Sequence, residues 1–414
     1  MKKTHIAFLW DESYLWGIMA YNVLKGLSIP FDLITANDIN SGILDNYRLL
    51  FVPGGWASDK TMALGDGGKD PIRMFVKSGG NYLGICGGAG MALMERDGLG
   101  LLPVKRRSTK DRIPSFSGQV RLKRTALQHP IWNGLPEPTV FHAWWPSQFE
   151  IVDNAAVITI ADYGEPEDNA YVADLKIAGV KSDDWKRWEM IYGINLNPSM
   201  LKGEPAIIEG RYEKGNVILS MLHFDTPDDI YGQRALENLL VYLTYPGNSS
   251  KISDRINAIS PSQGGAKANE DNHRLFSRAT EMSPMAELEE LIDFGIKNNL
   301  WFRRNPWLLQ WQRGIRGLEY NTLYILIKEL LYRGADLDDE LKEHIAQFLD
   351  MARRLLIKEK EAMDAGPVNP VKSGIVEIDS LREKLFGNAK HYGGMFKELI
   401  QKIDRTLLNL LRRL

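Results

Sequence analysis

The sequence predicts an α/β fold built on a parallel sheet, followed by a C-terminal part that is helical throughout. Three observations carry this expectation. Short apolar runs alternate with helix-period segments at the start of the chain, the pattern of strands crossed over by helices. Those runs end in small or polar residues, and the carboxyl ends of parallel strands are where such sheets place ligand sites. Beyond a polar, Ser- and Gly-rich interval, apolar residues return at helical spacing only.

Ile6 to Trp10 reads as the first strand, and Leu15, Ile18, Met19, Val23, Leu24 and Leu27 trace one helix face after it. Phe31 to Ile34 is a second strand and Tyr47 to Val52 a third, ending in Pro53-Gly54-Gly55. A helix over about 70–78 leads into Asn81 to Ile85. From about 101 to 194 the texture is β-rich and irregular, with Phe141-His142-Ala143-Trp144-Trp145 inside it. Pro205 to Tyr212 and Val217 to Leu222 read as a hairpin ending in His223-Phe224-Asp225, and a helix over 228–243 follows. The expected organisation is therefore an α/β domain over 1–246, a flexible linker over 247–282 and a separate all-α bundle over 283–414.

Bulk properties exclude several classes. A formal net charge of −2 gives no electrostatic basis for binding nucleic acid or an anionic membrane. No apolar run approaches the roughly 18 residues of a membrane span. The start, Met1-Lys2-Lys3-Thr4-His5-Ile6, is soon followed by Asp11-Glu12 and reads as a strand rather than a secretion signal. A single cysteine rules out an internal disulfide and fits a cytoplasmic location. His and Cys show no metal-ligand spacing, and neither metal nor cofactor is expected.

That cysteine is the candidate nucleophile. Gly84-Ile85-Cys86-Gly87-Gly88 joins a strand to a helix, the thiol version of a nucleophile elbow, in which small neighbours permit the sharp turn. The helix start favours a thiolate at Cys86. A thiol nucleophile needs a base, an orienting acid and oxyanion donors. His223 ends a strand, and Asp225 two positions on faces the same way if the strand stays extended, with Asp228 and Asp229 as competing acids. The Gly87 amide follows the nucleophile and is one donor; Gly54 or Gly55 supplies the second. Asp11 or Glu12 can bring an acid towards Cys86 or lie in a solvated loop. His142 with Trp144 can wall the substrate pocket or pack a subdomain.

The segments Phe51 to Gly55, Gly79 to Ala89, and Pro205 to Glu209 running into Val217 to Asp225 together resemble the class I glutamine amidotransferase-like superfamily. The likeness is in particular to the amidotransferase-like domain at the N-terminus of eukaryotic-type biotin–protein ligases, and covers about 4–246. It implies a flavodoxin-like sheet, a triad of Cys86, His223 and Asp225, and oxyanion donors at Gly55 and Gly87. Two departures stand out: Asp225 replaces the usual Glu, and the bulky stretch at His142 replaces a Gly-rich segment. No biotin-ligase-like Gly-Arg-Gly motif occurs in the C-terminal part, so ligase activity is not expected.

The sequence thus predicts a thiol-dependent amidase of the glutamine-hydrolysing type, acting on a small-molecule amide. Gly54, Glu12, His142 and Trp144 are its candidate pocket residues, and the C-terminal helices offer a face to a protein partner. The alternative is a non-catalytic ligand-binding or regulatory module that keeps the fold and uses those helices as its output.

Overall fold

The computed structural model describes residues 5–245, 283–312, 315–366, 372–387 and 392–413. The expected linker, 247–282, lies outside them. The central sheet has eleven strands. One half is parallel. Strands β1 (Ile6–Leu9), β2 (Asp32–Ile34), β3 (Leu49–Val52) and β4 (Asn81–Ile85) alternate with helices α1 (Tyr14–Gly26), α2 (Ala36–Asn40) and α3 (Ala57–Lys77). The four side chains of β1 and of β3 are all buried, as a strand covered on both faces requires. Helix α3 begins well before the expected residue 70 and holds two helical stretches joined at Gly65, which sits at φ 61°.

The short α4 (Gly87–Met91) follows β4 directly. The middle of the chain then adds β5 (Val104–Arg106), β6 (Phe116–Arg124), β7 (Val140–Trp144), β8 (Phe149–Ile151), β9 (Val157–Pro166), β10 (Tyr171–Val172), β11 (Leu175–Lys176) and helix α5 (Trp185–Tyr192). The hairpin of β12 (Pro205–Tyr212) and β13 (Gly215–Ser220) precedes α6 (Ile230–Thr244). The sheet order is β11-β10-β6-β9-β12-β13-β4-β3-β1-β2, with β7 paired to β6. β13 is the junction: it runs parallel to β4 and antiparallel to β12. Its register places Ser220 opposite Ile85, so the chain leaves both strands at the same sheet edge.

The C-terminal part contains α7 (Pro284–Lys297), α8 (Leu318–Tyr332), α9 (Asp339–Ala365), α10 (Val376–Phe386) and α11 (Gly394–Leu411). It also contains a β-hairpin, β14 (Trp301–Asn305) and β15 (Leu308–Trp311), which corrects the all-α expectation. Asn305 Oδ1 accepts from the amides of Trp307 and Leu308 and so fixes the hairpin turn. Tyr320, Phe348, Phe386 and Phe396 stack among themselves at the centre of the helices. No described helix is long and apolar enough to cross a membrane.

This region is not separate from the sheet. Fully buried Gln310 on β15 accepts from the Ser117 hydroxyl at 2.7 Å and donates to the Ala173 carbonyl at 2.7 Å. Trp10 Nε1 donates to Asp404 on α11 at 2.9 Å. Helix α8 lies along α1, where Asn22 donates to Glu329 and Arg333 stands over the Tyr21 ring. Trp16, Ala20 and Tyr21 are buried beside the expected apolar face for that reason.

Candidate functional site

Parallel strands β4 and β13 carry the site on their carboxyl ends. The amide of Cys86 donates to the Ser220 carbonyl at 2.7 Å, so the last pair of the β4–β13 ladder holds the cysteine. Cys86 then adopts φ 51° and ψ −105°, a left-handed backbone in a residue with a side chain. Such strain persists only where surrounding structure imposes it. The imposing contacts are glycine-specific. A Cβ on Gly87 would sit 1.9 Å from the Gly55 carbonyl oxygen, and one on Gly88 2.0 Å from that of Val52. The turn is thereby pressed against the end of β3, and Tyr82 anchors it by donating to the Gly88 carbonyl at 2.7 Å.

His223 reaches the same edge from β13. The extended run to Asp225 that the sequence suggests is not formed. After Ser220 the chain turns, the Ser220 hydroxyl donates to the Leu222 carbonyl, and the His223 amide donates to the His142 carbonyl at 2.8 Å. His223 and Asp225 are both fully buried, and their Nδ1 and Oδ1 lie 2.9 Å apart. The contact is made across a local turn closed by Thr226, whose hydroxyl donates to the His223 carbonyl. The competing acids are placed elsewhere: Asp228 is exposed, and Asp229 caps α6 and bonds His142 Nδ1 at 2.7 Å.

Burial alone would hold the His223 imidazole below its ordinary value. The Asp225 carboxylate, followed by Cys86, outweighs it and lifts the imidazole to about 10. Among the described residues no acceptor or donor lies within ordinary hydrogen-bond range of Nε2, yet Cys86 is close enough to act on the ring. The ring also lies 4.6 Å from that of Trp16, and a Cβ on Gly54 would meet both. At neutral pH this geometry favours an imidazolium facing a sulfur.

Gly55 and Gly87 adjoin backbone to backbone beside Cys86, and neither amide donates to a backbone acceptor among the described residues. Behind Gly55 lies Lys60, completely buried and lowered to about 8 by that burial, with its ammonium donating to the Ser13 hydroxyl and the Asp11 carbonyl. Sequence reasoning missed it: an isolated Lys on a helix reads as solvated.

A cavity of about 520 Å³ opens in front of Cys86 and Gly87. Trp16, Trp144 and Trp145 form one side, and Trp311, Leu318 and Tyr392 from the C-terminal part form the other. Trp144 is thus a wall residue. Glu12 is not: its carboxylate is paired with Lys397 of α11 and accepts from the Tyr14 hydroxyl at 3.0 Å. Asp11 Oδ2 accepts from the Ala36 amide at the start of α2. His142 faces a neighbouring cavity of about 290 Å³, stacked on Trp144 and close to Arg304 and Asn305. Among the described residues no group of three or more His, Cys, Asp or Glu is arranged to hold a metal ion.

No family model and no curated protein matches the sequence. Several solved structures resemble the fold. A putative GMP synthase protein from Thermoplasma acidophilum aligns over 62% of this chain and 100% of its own, at 13% identity and TM-score 0.38. A putative ThuA-like protein from Bacteroides uniformis aligns over 59% and 93%, at 12% identity and TM-score 0.39. A β-galactosidase from Bacillus circulans is covered over 30% of its length and 58% of this chain, at 13% identity and TM-score 0.35. Likeness at this level assigns no activity.

Proposed function

We infer that the protein is a thiol-dependent amide hydrolase of the glutamine amidotransferase-like kind, with Cys86 as nucleophile, His223 as proton carrier and Asp225 as the group that orients it. The observation that carries this reading is the buried His223–Asp225 pair, 2.9 Å apart, set against a cysteine held at φ 51° on the adjoining strand end. A structural cysteine gains nothing from a strained backbone, whereas a nucleophile at an elbow is aimed by it.

The steps follow from the charges. The Cys86 thiolate adds to the amide carbonyl carbon, and the amides of Gly55 and Gly87 hold the resulting oxyanion. The His223 imidazolium gives its proton to the departing nitrogen, the C–N bond breaks, and ammonia or an amine leaves a thioester on Cys86. The neutral imidazole then takes a proton from water, which adds to the thioester carbonyl. Collapse releases the carboxylic acid and restores the thiolate and imidazolium. Asp225 keeps the Nδ1 proton in place throughout, so that Nε2 faces the reaction.

Ammonia release from a panel of small amides, by the purified full chain and by Cys86→Ser, tests this. Release that depends on Cys86, with a thioester adduct visible by intact mass, is the expected result. Absence of both across glutamine, acidic and aromatic amides would overturn the reading and leave a ligand-binding module with the same pocket.

A further inference from the structure

The wall of the Cys86 cavity nearest α4 is made by two guanidinium groups without counter-ions among the described residues. Arg106, on β5, places its terminal nitrogen 2.9 Å from where a Cβ on Gly90 would stand, within one helical turn of Cys86. Arg112 lies beside it and donates to the Ser147 hydroxyl at 2.8 Å. Neither has a described carboxylate within ion-pair distance. Their neighbour Arg107 shows what the local chain does with an ordinary cation, pairing with Glu204 at 2.5 Å. Glu95 approaches Arg106 only at the backbone, where it accepts from the amide. Buried charges are otherwise paired, because water is no longer there to solvate them.

Three buried N–H donors in this wall have no acceptor among the described residues: Arg106 Nε, Arg112 Nε and Trp145 Nε1. All three residues line the same cavity as Cys86 and Gly87. Burial, and then the nearby Arg106 charge, hold Arg112 below the usual guanidinium range, so the pair repels itself as it stands. The described lining of the cavity holds three guanidiniums and one carboxylate, and that carboxylate, Glu319, is already paired with Arg316 at 3.3 Å. The far walls are aromatic and aliphatic: Trp311, Leu309, Leu318 and Tyr392. About 520 Å³ falls within the range of roughly 300–1,000 Å³ that holds drug-sized ligands.

We propose that Arg106 and Arg112, with the indole N–H of Trp145, form a carboxylate-binding subsite, and that the substrate of Cys86 is an amide carrying a carboxylate and an apolar stem. The guanidinium fork matches a carboxylate bidentately, and a ligand acid supplies the acceptor atoms that the three donors lack. The apolar walls exclude water around that pair and strengthen it. The word amide rests on the hydrolase reading above; the carboxylate subsite does not.

Because Cys86 is the sole cysteine, its alkylation reads the subsite without any turnover. The ratio of the rate with iodoacetate to the rate with iodoacetamide is measured on the full chain, on Arg106→Gln/Arg112→Gln and on Arg106→Lys/Arg112→Lys. The His223 charge contributes equally in all three, so a change in ratio isolates the arginines. Loss of charge-assisted hydrogen bonds of this kind lowers the ratio by about tenfold or more in the Gln pair, and the Lys pair recovers part of it. An unchanged ratio in a Gln pair that melts like the parent overturns the subsite. Should the Gln pair fail to fold, succinate decides on the parent protein: it slows carbamidomethylation of Cys86 at matched chloride concentration if the subsite exists, and has no effect if it does not. A shifted ratio without amide hydrolysis in any assay keeps the subsite and rejects the hydrolase. Hydrolysis of neutral amides with an unshifted ratio does the reverse.

Discussion

Gly87 is the position where the site geometry makes its sharpest demand. Its missing Cβ would lie 1.9 Å from the Gly55 carbonyl oxygen, against ordinary contact at about 3.4 Å or beyond. Gly87→Ala must therefore push the β3 end and the Cys86 turn apart by about 1.5 Å, the difference of those two distances. Neither side can yield through a side chain, since both atoms in conflict are effectively backbone. Overpacking of this kind costs about 1–3 kcal/mol, which in a domain of this size lowers Tm by about 2–4 °C per kcal/mol. The functional loss is larger. The two amides proposed to share the oxyanion are moved relative to each other, and misplacement by about 1 Å costs on the order of a hundredfold in rate. Thermal melting by circular dichroism and ammonia release measure the two effects, with Gly26→Ala as control. Nothing lies within 4 Å of a Cβ at Gly26, and it sits in the last position of α1, so its melt stays within about 1 kcal/mol of the parent. A Gly87→Ala protein with parental Tm and parental turnover would refute the close packing of Gly55 on Gly87.

Other consequences follow from single contacts. Asp225→Asn keeps an acceptor for His223 Nδ1 but removes its charge, worth about 4 kcal/mol at about 4 Å separation in a medium of effective dielectric near 20. The imidazole then titrates about three units below its present value of about 10, read by NMR from the His223 Cε1 shift. Since the folded-state value is raised, the ionised ring stabilises the fold fully below about pH 6.5 and that contribution disappears as pH rises through about 10; in the Asn variant the loss comes at lower pH. An unmoved titration contradicts the pairing. Burial lifts Asp404 to about 8, with Asp11 and Glu12 adding to the effect and the Trp10 bond opposing it. Stability from this group therefore falls as pH rises from about 4 to about 8, and Asp404→Asn flattens that part of the Tm–pH curve; an unchanged slope would contradict the buried placement. Gln310→Leu orphans the Ala173 carbonyl and the Ser117 hydroxyl, at about 1–3 kcal/mol each, which lowers the midpoint of urea unfolding; an unaltered midpoint would show that β15 does not clasp β6.

The sequence made the parallel half of the sheet legible because β1, β3 and β4 are fully apolar runs that nothing but a doubly covered strand accommodates. Cys86 and His223 were legible for a related reason, since both end strands that finish at one edge. The rest depended on contacts from far along the chain. Trp301 to Trp311 reads as the approach to a helix until Gln310 is seen to be satisfied by Ser117 and Ala173. Glu12 reads as a pocket acid until Lys397 claims it. Arg106 and Arg112 carried no signal at all, because a basic residue in an irregular segment is solvated by default and only the fold withholds its counter-ion.

The coupling of sulfur to imidazole is tested most directly by the pH dependence of Cys86 carbamidomethylation in the parent and in His223→Ala. The parent is expected to alkylate rapidly well into the acid range, and the Ala variant to follow a lone thiol titrating near about 8.5. Two superimposable profiles would contradict the coupling and with it the proposed chemistry.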